Sequence, residues 1–198
     1  MNFIQAYSRN IFNGLLTPIK SVKDNWSLFS ILVKRDIVNR TSGTILGKMW
    51  PVVQPALQIL GYWFLFDIVF SMRASRGPNY LEYLLTGMMP WLCVSEILGR
   101  STMMFREFSP LYRRNPFPLE ILPLLIMAIP CMVYAAVYCV LNLFLGGLDK
   151  AFISLLVMPM LMLWLLPLCM LLPVLGLFIK DFTQAIPFLL MITMFLTP

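Results

Sequence analysis

The sequence contains no histidine, and only nine of its 198 residues are acidic. A protein-bound zinc or iron centre usually needs histidine or clustered thiolates, and the four cysteines form no CxxC pair. All four lie within apolar stretches: Cys93, Cys131, Cys139 and Cys169. A small buried thiol in such a stretch is typical of packing. We therefore predict no metal site and no disulfide framework.

Catalytic signatures are equally scarce. The sequence has no paired carboxylates in one polar segment and no nucleophile elbow. The segment 42–49 superficially resembles a phosphate loop, but its glycines are one residue too close together, and Met49 stands where a hydroxyl would bind magnesium. With no plausible acid, base or nucleophile in place, we predict no catalytic residue, no cofactor on this chain and no enzymatic activity.

Apolar residues dominate what is present. They make up 60% of the chain, and charged residues make up 12%, against about 25% in an ordinary soluble domain. Ile121–Leu148 and Ala151–Ile179 contain no Asp, Glu, Lys or Arg. About 20 apolar residues suffice to cross the hydrocarbon core of a bilayer. The sequence therefore predicts an integral membrane protein.

Four complete spans are expected, all of them helical, because an isolated helix satisfies its own backbone hydrogen bonds in lipid. They are Pro51–Phe70, Tyr80–Gly99, Ile121–Leu148 and Ala151–Ile179. A fifth apolar segment, Phe182–Pro198, stops after 17 residues, so we expect a truncated fifth span. The predicted fold is an all-α membrane protein, with a transmembrane domain over residues 49–198 that is incomplete at its C-terminus.

Residues 1–48 are predicted to form a cytoplasmic N-terminal arm with interface helices. Two apolar stripes recur there at helical spacing, next to basic residues that include Lys34, Arg35 and Arg40. The stripes are Ile4, Tyr7, Ile11 and Leu15, and then Trp26, Phe29, Val33 and Ile37. An apolar stripe with a basic opposite face favours a helix in the membrane interface. A soluble amphipathic helix docked on a partner is the alternative.

The basic residues indicate the orientation. The N-terminal arm, the 100–120 connection and Lys180 hold twelve Lys and Arg, whereas the two intervening loops hold three. Because basic loops stay in the cytoplasm, we predict a cytoplasmic N-terminus. These residues form no patch interleaved with aromatics, so we predict no binding to nucleic acid.

Among the charged residues within or beside the predicted spans, we single out Asp67, Glu96 and Arg100 as intramembrane charges. A carboxylate at the centre of the bilayer costs about 2.5–3.5 kcal/mol on an insertion scale. Glu96 and Arg100 are four residues apart, so they could pair along one helix face. A structural role is favoured over a proton relay, because the later spans hold no further charged residue.

A family resemblance is carried by four groups of residues in order. They are Leu32–Ile37 with Arg40, the group Leu46, Gly47, Trp50, Gln54 and Pro55, then Leu84–Trp91 with Arg100, and finally Pro116–Pro123. This pattern resembles the permease subunits of bacterial ABC exporters for O-antigen, capsule and teichoic acid polymers. The resemblance covers roughly residues 30–198.

The resemblance implies a fold, partners and a location. Such permeases have six spans and an amphipathic N-terminal interface helix, and two copies form a channel in the bacterial inner membrane for a lipid-linked glycan. ATP and magnesium are bound by a separate ABC ATPase. The connection between the second and third spans acts as a coupling helix that receives the ATPase stroke. It corresponds here to residues 106–115, the coupling segment, with Arg106, Phe108, Tyr112, Arg113 and Arg114 as docking residues.

The resemblance also implies that the first and fifth spans line the conduit. Tyr62, Phe66 and Phe70 share one helix face, and Trp63 borders it. Aromatic rings offer flat apolar faces to the C–H groups of sugars. A lipid-facing aromatic belt is the alternative, since Trp and Tyr also favour membrane interfaces.

Two departures from the family pattern leave alternatives open. Thr41 and Ser42 follow Arg40 where family members carry an aromatic and a basic residue, and the sixth span is missing. The leading hypothesis is export of a lipid-linked polysaccharide. The same fold exporting a drug or small lipid, or a truncated membrane scaffold that does not transport, are the competing hypotheses.

Overall fold

The computed structural model describes residues 14, 17–69, 71, 80–112, 117–146 and 148–196, and within these ranges the chain contains helices and their connections, with no strand. Residues 17–24 are helical and lead through a turn at Asn25 into the first long helix. The helices are α1 (Trp26–Thr41), α2 (Trp50–Trp63), α3 (Tyr80–Ser101), α4 (Met104–Glu107), α5 (Ser109–Tyr112), α6 (Leu122–Gly146), α7 (Leu148–Phe178) and α8 (Phe182–Leu196). Short 3-10 turns at Gly47–Met49 and Leu119–Ile121 precede α2 and α6.

Helix α2 continues past its last α-helical residue, Trp63, as a helix with a different hydrogen-bonding pattern. Pro51 lies in its first turn, where the missing amide hydrogen has no helical partner to lose. After Trp63 the chain continues as a π-helix over Phe64–Val69. Together they form an unbroken helical stretch of 20 residues, Trp50–Val69. A π-helical turn changes the direction in which the following side chains point.

Among the described residues, three helical segments are long and apolar enough to cross a membrane: Trp50–Val69, Leu119–Leu143 and Leu155–Phe178. The apolar segment Phe182–Met194 is shorter. Helix α3 has 22 residues but is not among the three, and it carries Glu82, Glu96 and Arg100. The all-α membrane protein predicted from the sequence is confirmed, whereas the number of four complete spans stays a prediction.

The chain divides into two compact units. Unit 1 holds the described parts of Met1–Asp36, Ile97–Ile129 and Trp164–Pro198, and unit 2 holds those of Ile37–Glu96 and Pro130–Leu163. Unit 1 has a core of six buried side chains from α1, α4 and α6 and the residue after α4: Leu32, Met104, Phe108, Leu122, Leu125 and Ile126. In unit 2, Cys93, Met89 and Tyr134 are buried, and Tyr134 lies 3.5 Å from the side-chain oxygen of Gln58.

Helix α1 shows which face of the predicted interface helix packs inward. Phe29 and Val33 pack against the core of unit 1, while Lys34 and Arg35 are exposed. The ring of Trp26 is exposed and lies 5.8 Å from that of Phe29. Phe29, Val33, Lys34 and Arg35 agree with the predicted faces, whereas Trp26 of the predicted apolar stripe is exposed and Arg40 of the predicted basic face is half-buried. The earlier stripe at Ile4, Tyr7, Ile11 and Leu15 lies outside the described residues.

Candidate functional site

The last turn of α3 is tied to α1 by a buried ion pair in unit 1. Arg100 donates from Nη1 and Nη2 to the two carboxylate oxygens of Asp36, at 2.8 and 2.5 Å. The side chain of Asp36 is only 3% exposed, and that of Arg100 is 16% exposed. A planar guanidinium that binds both oxygens of a carboxylate gives a strong and directional contact. The sequence prediction did not include Asp36 among the site residues.

The same guanidinium also reaches forward to the connection after α3. Its Nη2 donates to Glu107 Oε1 at 2.6 Å, and the side chain of Glu107 is 39% exposed. Arg100 therefore joins α1, α3 and α4 at one point. Arg100 is predicted to be an intramembrane charge, and in the structure it is a junction between helices.

The predicted pairing of Glu96 with Arg100 along one helix is wrong. In unit 2, Glu96 accepts a hydrogen bond from Arg40 of α1 at 3.0 Å, while the carboxylate partners of Arg100 are Asp36 and Glu107. On α1 and on α3 the acid precedes the base by four residues, and each acid pairs with the base of the other helix. Arg40 consequently lies on the packed side of α1 rather than with the exposed Lys34 and Arg35.

Phe108, predicted to dock on a partner, points inward. Its side chain is 9% exposed and belongs to the core of unit 1. Met104 lies one turn earlier on the same face and is buried as well. The ring thus fixes the start of the coupling segment onto the core, and a partner could reach it only after the segment moved.

Arg106, the first residue of the coupling segment, makes a contact within the chain. Its Nη2 donates to the carbonyl oxygen of Gly176 at 2.7 Å. Gly176 lies in the last turn of α7, where backbone carbonyls lack an amide from the same helix. A cationic side chain at that end also interacts favourably with the helix dipole.

The remaining docking residues are described only in part. Tyr112 ends α5, and its side chain lies outside the described residues, as do Arg113 and Arg114. Their role in docking therefore stays a prediction.

The aromatic residues predicted to line a conduit lie in unit 2. Tyr62 and Trp63 end α2, and Phe66 lies in the π-helix, each of them half-buried. Phe70 is outside the described residues. Asp67 shares the π-helix with Phe66 and is half-buried too. Partial burial fits either a conduit wall or a lipid-facing belt, so both interpretations stay open.

Gly176 is a site residue for which the sequence carries no signal. A Cβ atom placed there would overlap the carbonyl oxygen of Thr102 and would lie 3.4 Å from Cγ2 of Thr183. Only glycine allows this approach, because any other residue brings a side-chain carbon into that space. An isolated glycine near the end of an apolar helix suggests a helix end, and nothing in it indicates the distant Thr102.

The sequence of the chain is similar to a known family of membrane proteins. The model of the ABC-2 type transporter membrane family matches residues 27–198. The chain is 27% identical over 99 residues to the O-antigen export system permease protein RfbA of Klebsiella pneumoniae, a match that covers 50% of this chain and 37% of that relative. It is 29% identical over 92 residues to the protein of the same name from Myxococcus xanthus, covering 46% and 34%.

The matched part of the chain thus spans little more than a third of the length of these relatives. The family match is broader, since it includes all of α1 but its first residue, together with α2, α3, the described part of the coupling segment and every described helix that follows. It therefore contains both the Asp36–Arg100 pair and the Arg106–Gly176 contact. On this match the chain belongs to the ABC-2 type transporter family of membrane proteins.

Proposed function

We propose that this chain is the membrane subunit of an ATP-driven exporter that moves a lipid-linked polysaccharide outward across the bacterial inner membrane. The observation that carries the proposal is the family match over residues 27–198. The two relatives named above are O-antigen export permeases, which favours a glycan of the O-antigen type as cargo. Capsular and teichoic acid polymers are related cargoes within the same proposal.

ATP hydrolysis is assigned to a separate ABC ATPase that binds ATP and magnesium. The sequence offers no phosphate loop with a magnesium-binding hydroxyl, because Met49 occupies that position. The chain instead supplies apolar helices and a polar connection between α3 and α6. Energy from ATP must then reach the spans by mechanical contact with the ATPase.

The coupling segment is the proposed place of that contact. Its described part is held on the protein side by Phe108 in the core and by Arg106 at Gly176. A segment held in this way would pass on a push from a docked partner rather than yield to it. Tyr112, Arg113 and Arg114 are the residues that we assign to the ATPase, because two adjacent cations and a ring suit an acidic, partly apolar surface.

The distribution of Lys and Arg indicates which parts of the chain face the cytoplasm. Twelve of the fifteen Lys and Arg residues fall in the N-terminal arm, the 100–120 connection and Lys180. The positive-inside bias puts all three on the cytoplasmic side, where an ATPase and ATP are available. The exposed Lys34 and Arg35 of α1 would then face the anionic headgroups of the inner leaflet.

The conduit is proposed to form between two copies of the chain. Tyr62, Trp63, Phe66 and Phe70 are the candidate residues for sugar contact. A glycan that slides past rings gains from stacking without being trapped by a fixed set of hydrogen bonds. Paired copies would also supply the aromatic surface on both sides of the polymer.

Co-purification with the ATPase tests this proposal. The double variant Arg113→Glu with Arg114→Glu is expected to lose at least about nine tenths of the ATPase recovered with the wild type, because it reverses two charges at the interface. The matched control is Arg73→Glu with Arg76→Glu, which reverses two basic residues in a loop predicted to lie outside. The control should retain the ATPase. Retention of the ATPase by the Arg113 and Arg114 variant would overturn the docking assignment.

A further inference from the structure

Gly176 marks the place in unit 1 where three parts of the chain meet. It belongs to the last turn of α7, it lies against the backbone of Thr102 just after α3, and it faces Thr183 at the start of α8. Thr183 is buried, and its hydroxyl donates to the carbonyl of Lys180 at 2.7 Å. This arrangement leaves no room for a side chain at position 176. The residues Thr102, Arg106, Gly176 and Thr183 are called the Gly176 joint below.

Arg106 adds a polar contact to this close packing. The amide of Ile179 bonds to the carbonyl of Leu175 at 2.9 Å, and the next carbonyl along the helix, that of Gly176, receives Nη2 of Arg106 at 2.7 Å. The contact is charge-assisted and involves the backbone of α7 rather than a mobile side chain. A displacement of Arg106 therefore acts directly on the end of α7.

The other side of the same segment is held by Arg100. Its contacts with Asp36 at 2.8 Å and Glu107 at 2.6 Å tie α4 to α1. Residues 100–107 are thus attached to α1 through Arg100 and to α7 through Arg106. Since α4 has only four residues, it has little freedom to bend between these two attachments.

We propose that Arg106 is a positioning residue which joins the coupling segment to the end of α7, so that a movement of the segment reaches α7 and α8 through the Gly176 joint. The inference rests on the proposed function for the source of the movement, and on the geometry of the joint for its route. It removes Arg106 from the ATPase interface and leaves docking to Tyr112, Arg113 and Arg114.

Two structural features explain why a movement of the coupling segment would reach α7 and α8. The backbone of Thr102 lies against Gly176, so a push on the residues after α3 meets α7 without an intervening side chain that could yield. The turn between α7 and α8 spans only three residues, Ile179–Asp181. The start of α8 must therefore follow the end of α7. In the proposed exporter, α8 belongs to the fifth span, which is one of the two assigned to the conduit.

The test combines amide hydrogen exchange with a measurement of the glycan exported per ATP hydrolysed. In the isolated full-length permease, Arg106→Ala is expected to speed amide exchange over residues 176–183 by about fivefold, as the loss of one net hydrogen bond would do. Arg106→Lys, which keeps a cationic donor, should restore most of the protection. In the complex with the ATPase, Arg106→Ala should keep normal co-purification and ATP hydrolysis, while glycan exported per ATP falls severalfold.

Each result that differs from these expectations would overturn a specific part of the inference. Unchanged exchange over residues 176–183 in Arg106→Ala would show that Arg106 does not position α7. Loss of the ATPase in the same variant would make Arg106 a docking residue and would contradict the inference. If the wild-type chain itself bound no ATPase, the proposed function would fail and the transmitted movement with it, whereas the exchange measurement would still decide the positioning role.

Discussion

Arg100 binds both carboxylate oxygens of Asp36, at 2.8 and 2.5 Å, and so ties the end of α3 to the middle of α1. The pair lies within unit 1 and is shielded from solvent, with the Asp36 side chain 3% exposed. Desolvation of two charges is costly, so loss of one partner leaves the other buried and uncompensated. The attachment of α1 to α3 at this point therefore requires both Asp36 and Arg100.

Asp36→Ala is expected to lower the free energy of unfolding by about 3–5 kcal/mol, the usual cost of removing one partner from a buried ion pair. Glu107→Gln removes the more exposed partner of the same arginine and should cost less than about 1 kcal/mol. Denaturant unfolding in detergent micelles measures both. Equal losses for the two variants would contradict the distinction between a buried and an exposed partner.

Gly176→Ala is expected to destabilise the protein by about 1–3 kcal/mol, the typical cost of forcing an extra carbon into packed surroundings. The new methyl group would overlap the carbonyl of Thr102. Gly99→Ala is the matched control, since a Cβ there meets no atom within 4 Å among the described residues. That control should be neutral or stabilising by up to about 1 kcal/mol. A Gly176 variant as stable as the wild type would show that the close approach to Thr102 is absent.

Phe108→Ala should lower the free energy of unfolding by about 3–5 kcal/mol, because it removes a buried ring from the core of unit 1. Met103→Ala, at a side chain that is 46% exposed, should change it by less than about 1 kcal/mol. Phe108→Leu keeps most of the apolar volume and should retain ATPase binding. If Phe108→Leu were stable but lost the ATPase, the ring would be a docking residue after all.

The orientation can be checked by labelling single cysteines in intact cells, on a background in which the four native cysteines are replaced. Ser75→Cys lies in a loop predicted to face outward, and we expect a membrane-impermeant maleimide to label it. Ser27→Cys, which follows Trp26 in α1, should be labelled only after the cells are permeabilised. The positive-inside bias is the reason for both expectations. The reverse pattern would place the N-terminus outside and separate the coupling segment from ATP.

The membrane helices could be predicted because each of them is recognised from the composition of its own segment. The uncharged runs 121–148 and 151–179 indicate membrane helices without reference to any other part of the chain. The faces of α1 were largely predictable for the same reason, since Phe29 and Val33 lie one helical turn apart and Lys34 and Arg35 fall opposite.

Contacts between distant segments were harder to predict. Glu96 and Arg100 satisfy the spacing of a pair within one helix, yet each bonds a residue of α1, Arg40 and Asp36 respectively. Only the complementary spacing of Asp36 and Arg40 hinted at this. Phe108 was predicted to dock on a partner because the family resemblance assigns that role to the coupling segment, and the segment's own sequence does not indicate that this ring packs into the core of unit 1. The role of Gly176 depends on the backbone of Thr102, more than seventy residues away, and no local pattern reports such a contact.

The central claim, export of a lipid-linked polysaccharide, is tested most directly by deleting the gene for this chain and measuring two pools of glycan. We predict that polymer on the cell surface falls to background while its lipid-linked form accumulates inside, and that a plasmid copy of the full gene reverses both changes. Unchanged surface polymer, or a loss of polymer without internal accumulation, would contradict the claim. A changed tolerance to drugs with normal surface polymer would favour export of a small molecule, and no change in either would favour a scaffold.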